Sequence, residues 1–273
     1  MYESSDTKLR LECCGEKMAY SFNIQTNNKL TENLVKRPGD KRFTIVTAAS
    51  TGFFPTLRKL LYSMKQHFGC SQKIICYDLG GISEDKNMME ELNSVCELEL
   101  RKYNWSIMPK DVHSPQTYAW KIYILSQIFS QYDTFIWMDT SINLEDKKYL
   151  DPIFEGTGHS IKYATNLRMF TYIPIITDWI KIENQKWDTE MYDANFIIIH
   201  KSEIFFRKYF YRNINFGALL CAATKQCIHP DGSQLYCTSP RTTIGSCHRF
   251  DQSVMGILNV DSEYKRSLIG MEI

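Results

Sequence analysis

The sequence predicts an α/β fold, a sandwich around a mainly parallel central sheet, and three observations lead there. Short β-branched runs alternate with amphipathic stretches of helical length. Two runs, Thr134 to Met138 and Phe196 to Ile199, are continuously apolar, as strands covered on both faces are. The chain of 273 residues is 44% hydrophobic and 13% aromatic, enough to bury a substantial core. That length suits one large domain or two small ones. No Pro/Gly/Ser linker divides Phe43 to Val260. The expected organisation is a variable polar segment over residues 1–42, a single domain over residues 43–260 and a tail over residues 261–273.

The elements follow in order. Phe43 to Ala48 is a first buried strand, and the small residues Ala49-Ser50-Thr51-Gly52 after it let a ligand approach the backbone. Pro55 suits a first helical turn, with Leu57, Leu60, Leu61, Met64 and Phe68 at helical spacing behind it. Lys73 to Asp78 is strand-like and stopped by Leu79-Gly80-Gly81, and Glu84 to Val95 puts Met88, Leu92 and Val95 on one helical face. Glu97 to Tyr103 alternates like a strand. Thr117 to Gln131 is an amphipathic helix with Tyr118, Ile122, Leu125, Ile128 and Phe129 near one stripe. The apolar strand Thr134 to Met138 runs into Asp139-Thr140-Ser141. Ile161 to Ala164 is strand-like, Asp193 to Ile199 a buried strand, Ser202 to Leu220 a helix and Asp251 to Leu258 a short final helix. Strands alternating with helices imply right-handed crossovers.

Composition removes several functions. Lys and Arg number 32 against 31 Asp and Glu, a net charge of +1, so nucleic acid is not an expected partner. No apolar run of about 20 residues spans a bilayer, and the polar start lacks the apolar core of a signal peptide. The sequence holds no Walker loop, no GxGxxG after a strand, no Gly-x-Ser-x-Gly elbow and no Cys-x-x-Cys pair. Asn104-Trp105-Ser106 is the only N-glycosylation sequon and barely favours the secretory route by itself.

What remains is a set of polar residues at strand and helix ends. Ligands of open α/β sheets bind beyond the carboxyl ends of the strands, where Asp139 would stand. With Ser141 it could hold a divalent cation against a departing diphosphate, although Asp-x-Asp is the usual pattern and a turn cap would also explain Asp139. In Cys247-His248-Arg249-Phe250-Asp251-Gln252-Ser253, His248 could complete that metal site or assist phosphate departure. Asp251 could bind an acceptor hydroxyl or act in catalysis. An N-cap and a structural histidine are the competing readings. Lys121, in Tyr118-Ala119-Trp120-Lys121, could reach a phosphate or stay solvated; Asn166 and Arg168 are of the same kind. Asp78 could read a nucleotide or cap the turn into Leu79-Gly80. Of nine cysteines, Cys221, Cys227, Cys237 and Cys247 crowd a stretch rich in Pro and Gly, where two disulfides of open connectivity would order a long loop. Cys76 and Cys96 read as small buried hydrophobes or a cross-strand bridge.

Several runs together resemble an uncharacterised, invertebrate-rich family within the nucleotide-diphospho-sugar transferase superfamily. They are Thr47-Ala48-Ala49-Ser50, Cys76-Tyr77-Asp78-Leu79-Gly80, Tyr118-Ala119-Trp120-Lys121, Trp137-Met138-Asp139-Thr140-Ser141-Ile142, Asp193-Ala194-Asn195-Phe196 and Cys247 to Ser253. The resemblance implies a Rossmann-like, glycosyltransferase-A type sandwich with the donor over the first strands. By that analogy Asp193 or Asn195 faces the donor sugar and Asp251 the acceptor, and relatives sit behind an N-terminal anchor in the secretory pathway, as in the Golgi lumen.

Both lines together lead to the expectation of a lumenal glycosyltransferase moving a sugar from a UDP-sugar to a glycan or glycoprotein hydroxyl. Thr47, Ala48, Ser50 and Asp78 would hold the nucleotide, Lys121 the diphosphate, and Asp139, Ser141 and His248 a Mn²⁺ or Mg²⁺ ion. The departure at Ser141 keeps a second expectation open, a carbohydrate- or nucleotide-sugar-binding protein without turnover.

Overall fold

The computed structural model describes residues 39–150, 193–200, 216–237 and 247–258. Its five strands are β1 (Thr44–Ser50), β2 (Ile74–Gly80), β3 (Leu98–Lys102), β4 (Thr134–Met138) and β5 (Phe196–His200), in one sheet of order β3-β2-β1-β4-β5. The pairs β1 with β2, β1 with β4 and β2 with β3 are parallel, as the alternation of strands and helices predicts. This order makes β1 the point where the chain reverses its direction of growth across the sheet. The crevice for a ligand in such a sheet opens at that switch, outside the carboxyl ends of β1 and β4.

The chain divides into two compact units, one drawn from residues 1–103 and 134–158, the other from residues 104–133 and 159–273. The first holds β1 to β4 with α1 (Phe54–Phe68) and α2 (Lys86–Asn93). Its core is made by the residues whose spacing predicted it: Leu57, Leu60, Leu61 and Met64 of α1 are fully buried, as are Ile45, Val46, Ile74, Ile75, Phe135, Ile136 and Trp137 of the strands. Each such side chain contributes about 1.5–3 kcal/mol on leaving water. Pro55 lies in the first turn of α1, and Gly69, at φ 84°, ends the helix with its N–H on the Lys65 carbonyl. Asp85 caps α2 by accepting from Met88 N–H at 3.0 Å, so α2 begins two residues after Glu84. The half-buried, charge-bearing β3 is a sheet edge, which suits Glu99, Arg101 and Lys102.

The second unit holds α3 (Ala119–Gln131), β5, α4 (Phe216–Ala222), α5 (Lys225–Ile228) and α6 (residues 250–258). The helix expected from Thr117 starts at Ala119, because Tyr118 takes a left-handed conformation (φ 55°) that no α-helix continues through. Its buried residues include Trp120, Lys121 and Ile124 as well as Ile122, Leu125, Ile128 and Phe129 of the predicted stripe, whereas Tyr118 precedes the helix and is half-buried. The expected helix from Ser202 is described only from Phe216, and Ile161 to Ala164, Asn166 and Arg168 lie outside the described residues.

Candidate functional site

Two residues chosen separately from the sequence meet in the second unit. Lys121 Nζ lies 2.8 Å from Asp251 Oδ2, and both side chains are withdrawn from water, at 4% and 6% exposure. The same ammonium donates to the Ala194 carbonyl at 3.0 Å. Lys121 is therefore neither solvated nor held out toward a diphosphate: it ties the first turn of α6 to the turn before β5. A buried carboxylate and ammonium are tolerable only as partners, since an unpaired charge in such surroundings is strongly unfavourable.

The residues beside these partners carry polar atoms that the protein leaves unanswered. The side-chain oxygen of Asn195, next to Ala194, is buried without a hydrogen-bond partner among the described residues, and so is the side-chain nitrogen of Gln252, next to Asp251. Asp193, at the other side of Ala194, is buried with Arg249 Nη1 3.6 Å from its carboxylate. Native folds rarely leave such groups unsatisfied, and a ligand is one of the explanations that restores their hydrogen bonds.

Backbone strain frames the cluster. Tyr118 immediately before α3 and Phe250 at the start of α6 both have positive φ, 55° and 46°. Neither is glycine, so each conformation costs on the order of 1–3 kcal/mol and persists because its surroundings impose it. Their rings stack on each other, 6.0 Å between centroids with 18° between planes, and Lys121 Nζ lies 5.9 Å from the Tyr118 ring.

His248 holds the strained turn. Phe250 N–H donates to its Nδ1 at 2.8 Å, so the other nitrogen carries the hydrogen, and Nε2 donates to the Cys227 carbonyl at 3.0 Å. Its own N–H donates to the Gln234 carbonyl at 2.8 Å. Burial drives the imidazole pKa from 6.5 down to about 4, with nearby His229 acting in the same direction and the hydrogen bond to Cys227 against it. The cysteines pair as Cys221–Cys227 and Cys237–Cys247, which resolves the open connectivity and staples the segment into which His248 reaches. Cys70 is also disulfide-bonded, whereas Cys76 is a fully buried thiol whose pKa burial raises.

In the first unit the expected nucleotide ligands stand differently from one another. Thr47 and Ala48 are buried within β1, the Thr47 hydroxyl without a hydrogen-bond partner among the described residues, and Ser50, half-buried, stands at the strand end. The Asp78 carboxylate accepts from Gly80 N–H at 2.8 Å, Ile82 N–H at 3.3 Å, Ser83 N–H at 2.8 Å and the Ser83 hydroxyl. Burial alone would raise its pKa, but these donors outweigh burial and hold it below the ordinary carboxylate value. Asp78 thus organises its own turn rather than presenting a carboxylate to a nucleotide. Within that turn Gly81 has φ 89°, and a Cβ there would overlap the Thr51 hydroxyl.

At the end of β4, Asp139 is half-buried and its Oδ1 accepts from Trp137 Nε1 at 2.7 Å. The following Thr140 hydroxyl accepts from Thr56 of α1 at 2.9 Å, and Ser141 is exposed. The expected donor set for Mn²⁺ or Mg²⁺ does not fit a metal well. It offers one carboxylate already shared with an indole and a neutral hydroxyl, and both His248 nitrogens are committed to backbone groups, whereas hard divalent cations favour several oxygen ligands. No cluster of three His, Cys, Asp or Glu residues suited to a metal occurs among the described residues.

A family model described as "Protein of unknown function (DUF1647)" matches residues 7–126. No curated protein matches the sequence. Among solved structures, the chain is similar to the apo form of mouse xyloside xylosyltransferase 1, with 9% identity over 80% of this chain and 82% of that one and a TM-score of 0.48. It is also similar to the glycosyltransferase GlyE of Streptococcus pneumoniae, at 11% identity over 84% and 49% of the two chains and a TM-score of 0.44. For an active-site mutant of LgtC the values are 14% identity, 80% and 70% coverage and a TM-score of 0.42.

Sequence reading missed the roles of Gln252, Tyr118 and Phe250. Tyr118 and Phe250 stood inside the quoted runs, but a left-handed tyrosine or phenylalanine has no composition signal. Gln252 had one usable sign, a polar amide on the apolar side of a short helix, next to a candidate carboxylate.

Proposed function

We propose that the chain transfers a sugar from a nucleotide-diphosphate donor, a UDP-sugar in the first instance, to a hydroxyl of a glycan or glycoprotein. The observation that carries this reading is the cluster in the second unit. A buried carboxylate paired with Lys121 adjoins an amide donor at Gln252, and the Ala194 turn adjoins an acceptor at Asn195. A sugar hydroxyl both donates and accepts, so it answers both kinds of unpaired atom.

In this reading Asp251 accepts the hydrogen bond of the attacking hydroxyl and takes its proton. The bond from the sugar's anomeric carbon to the diphosphate oxygen breaks as the bond to the acceptor oxygen forms. Asp193 and Asn195 face the donor sugar. Lys121 acts through Asp251 and the Ala194 carbonyl, as a positioning residue. Orientation of the attacking hydroxyl supplies the rate; no step is routed through a metal. The disulfides support folding in an oxidising, secretory compartment.

Ser141, an exposed hydroxyl where the usual pattern has a second carboxylate, favours one alternative: a protein that binds nucleotide sugars without turnover. Calorimetric titration with a panel of UDP-sugars, with and without Mn²⁺, followed by transfer and donor-hydrolysis assays, separates the two. We expect binding and transfer, with transfer lost in Asp251→Asn and sharply reduced in Gln252→Met. Binding without transfer or hydrolysis selects the alternative, and binding to no nucleotide sugar excludes both.

A further inference from the structure

We propose that Asn104 carries an N-linked glycan, a modification independent of the transferase reading. Asn104-Trp105-Ser106 is the only Asn-x-Ser/Thr triplet in 273 residues, and its middle residue is not proline. A triplet alone is a weak signal, but the structure adds its conformation. Asn104 and Ser106 are exposed on the turn that follows β3. The Asn104 side-chain oxygen accepts from Ser106 N–H at 3.1 Å and from the Ser106 hydroxyl at 2.7 Å. The middle residue is anchored separately, the Trp105 ring stacking on His113 at 5.3 Å between centroids.

This conformation bears on reactivity. A carboxamide nitrogen is a poor nucleophile because its lone pair is delocalised into the carbonyl. Two donors on the carbonyl oxygen polarise the amide and make its N–H more acidic, and one of those donors is the hydroxyl that the triplet requires. In the step itself, Asn104 Nδ2 forms a bond to the anomeric carbon of a lipid-linked oligosaccharide diphosphate. The bond from that carbon to the diphosphate oxygen breaks, the lipid diphosphate leaves, and the amide proton passes to a carboxylate of the transferring enzyme. Disulfides provide the independent observation. Cys221–Cys227 and Cys237–Cys247, with the bonded Cys70, match the oxidising lumen in which such donors are used. One triplet allows one glycan per chain.

The test is to lead the full chain into the lumen of cultured eukaryotic cells with a cleavable signal peptide and purify it from cells and medium. Mobility is compared before and after peptide-N-glycosidase, and the tryptic peptide of residues 103–110 is weighed. The expected result is a single enzyme-sensitive shift that maps to Asn104, disappears in Asn104→Gln and Ser106→Ala, and persists in Ser106→Thr. A disulfide-bonded chain whose peptide 103–110 is wholly unmodified overturns the proposal. That peptide is read in the unsubstituted chain, so the outcome does not depend on whether a variant folds.

Discussion

Both units bury a lysine and an aspartate, and they satisfy the charges differently. In the first, Lys65 at the end of α1 is 1% exposed and donates to the carbonyls of Cys70 and Gln72, at 3.0 and 2.6 Å. Asp78 is answered by three backbone N–H groups and a hydroxyl from its own turn. In the second, Lys121 and Asp251 answer one another across the chain. A charge met by nearby main chain is fixed by the backbone path and serves to close a loop. A pair of side chains from distant segments exists only when the tertiary fold is complete, and it can exchange hydrogen bonds with a ligand without unmaking a turn. The contrast separates a structural use of buried charge from one suited to chemistry.

The largest effect should come from splitting the second pair. Lys121→Met leaves the Asp251 carboxylate buried without its ammonium, which we expect to cost ~3–5 kcal/mol in urea unfolding with the disulfides intact. Lys121→Met combined with Asp251→Leu removes both charges and should recover most of that loss while transfer stays absent. A single-variant cost below about 1 kcal/mol, the range of exposed pairs, would show that the pair is not structurally committed and would dissolve the contrast.

Next in size is an acid sensitivity lodged in the second unit. The folded pKa of His248, about 4, lies below its ordinary 6.5, so the unfolded chain binds the proton more readily between those values. Its contribution is complete above pH 6.5 and is lost as pH falls toward 4, about 3 kcal/mol in all. Protonation would place a second hydrogen on Nδ1, against the Phe250 N–H that now donates to it. Urea midpoints from pH 7 to 4 should therefore fall more steeply for the unsubstituted chain than for His248→Gln. Parallel profiles would mean that the imidazole is not held neutral.

How much of this was legible follows from how local each signal was. The strand Thr134–Met138 was readable because burial on both faces leaves an unbroken apolar run. The cysteine cluster announced a stapled loop by composition, but the pairs Cys221–Cys227 and Cys237–Cys247 depend on the path between them. Lys121 and Asp251 were each selectable by type and position, yet their ion pair was invisible, since helical periodicity says nothing of which distant segment a face meets. His248 illustrates the same limit at the scale of one ring. Its tautomer is set by two backbone groups, and only their placement distinguishes a metal ligand from a neutral brace.

The smallest effect is the sharpest test of the contrast, and it belongs to Asp78. From the sequence it stood at a strand end where a nucleotide could be read; in the structure its oxygens are occupied by Gly80, Ile82 and Ser83. Asp78→Asn keeps the size and one accepting oxygen but turns an NH₂ toward donors, weakening the turn by about 1–2 kcal/mol, as loss of a cap or a charge-assisted bond does. Because the folded pKa of Asp78 is lowered, that contribution is present above its ordinary carboxylate value and fades as pH falls through the folded one. The variant should therefore match the unsubstituted chain more closely in strong acid than at neutral pH. If the carboxylate is structural, UDP affinity measured where both proteins are fully folded should be unchanged. A tenfold loss of UDP affinity in a folded Asp78→Asn chain would return Asp78 to the nucleotide, and a backbone-satisfied charge would no longer mark a residue closed to ligands.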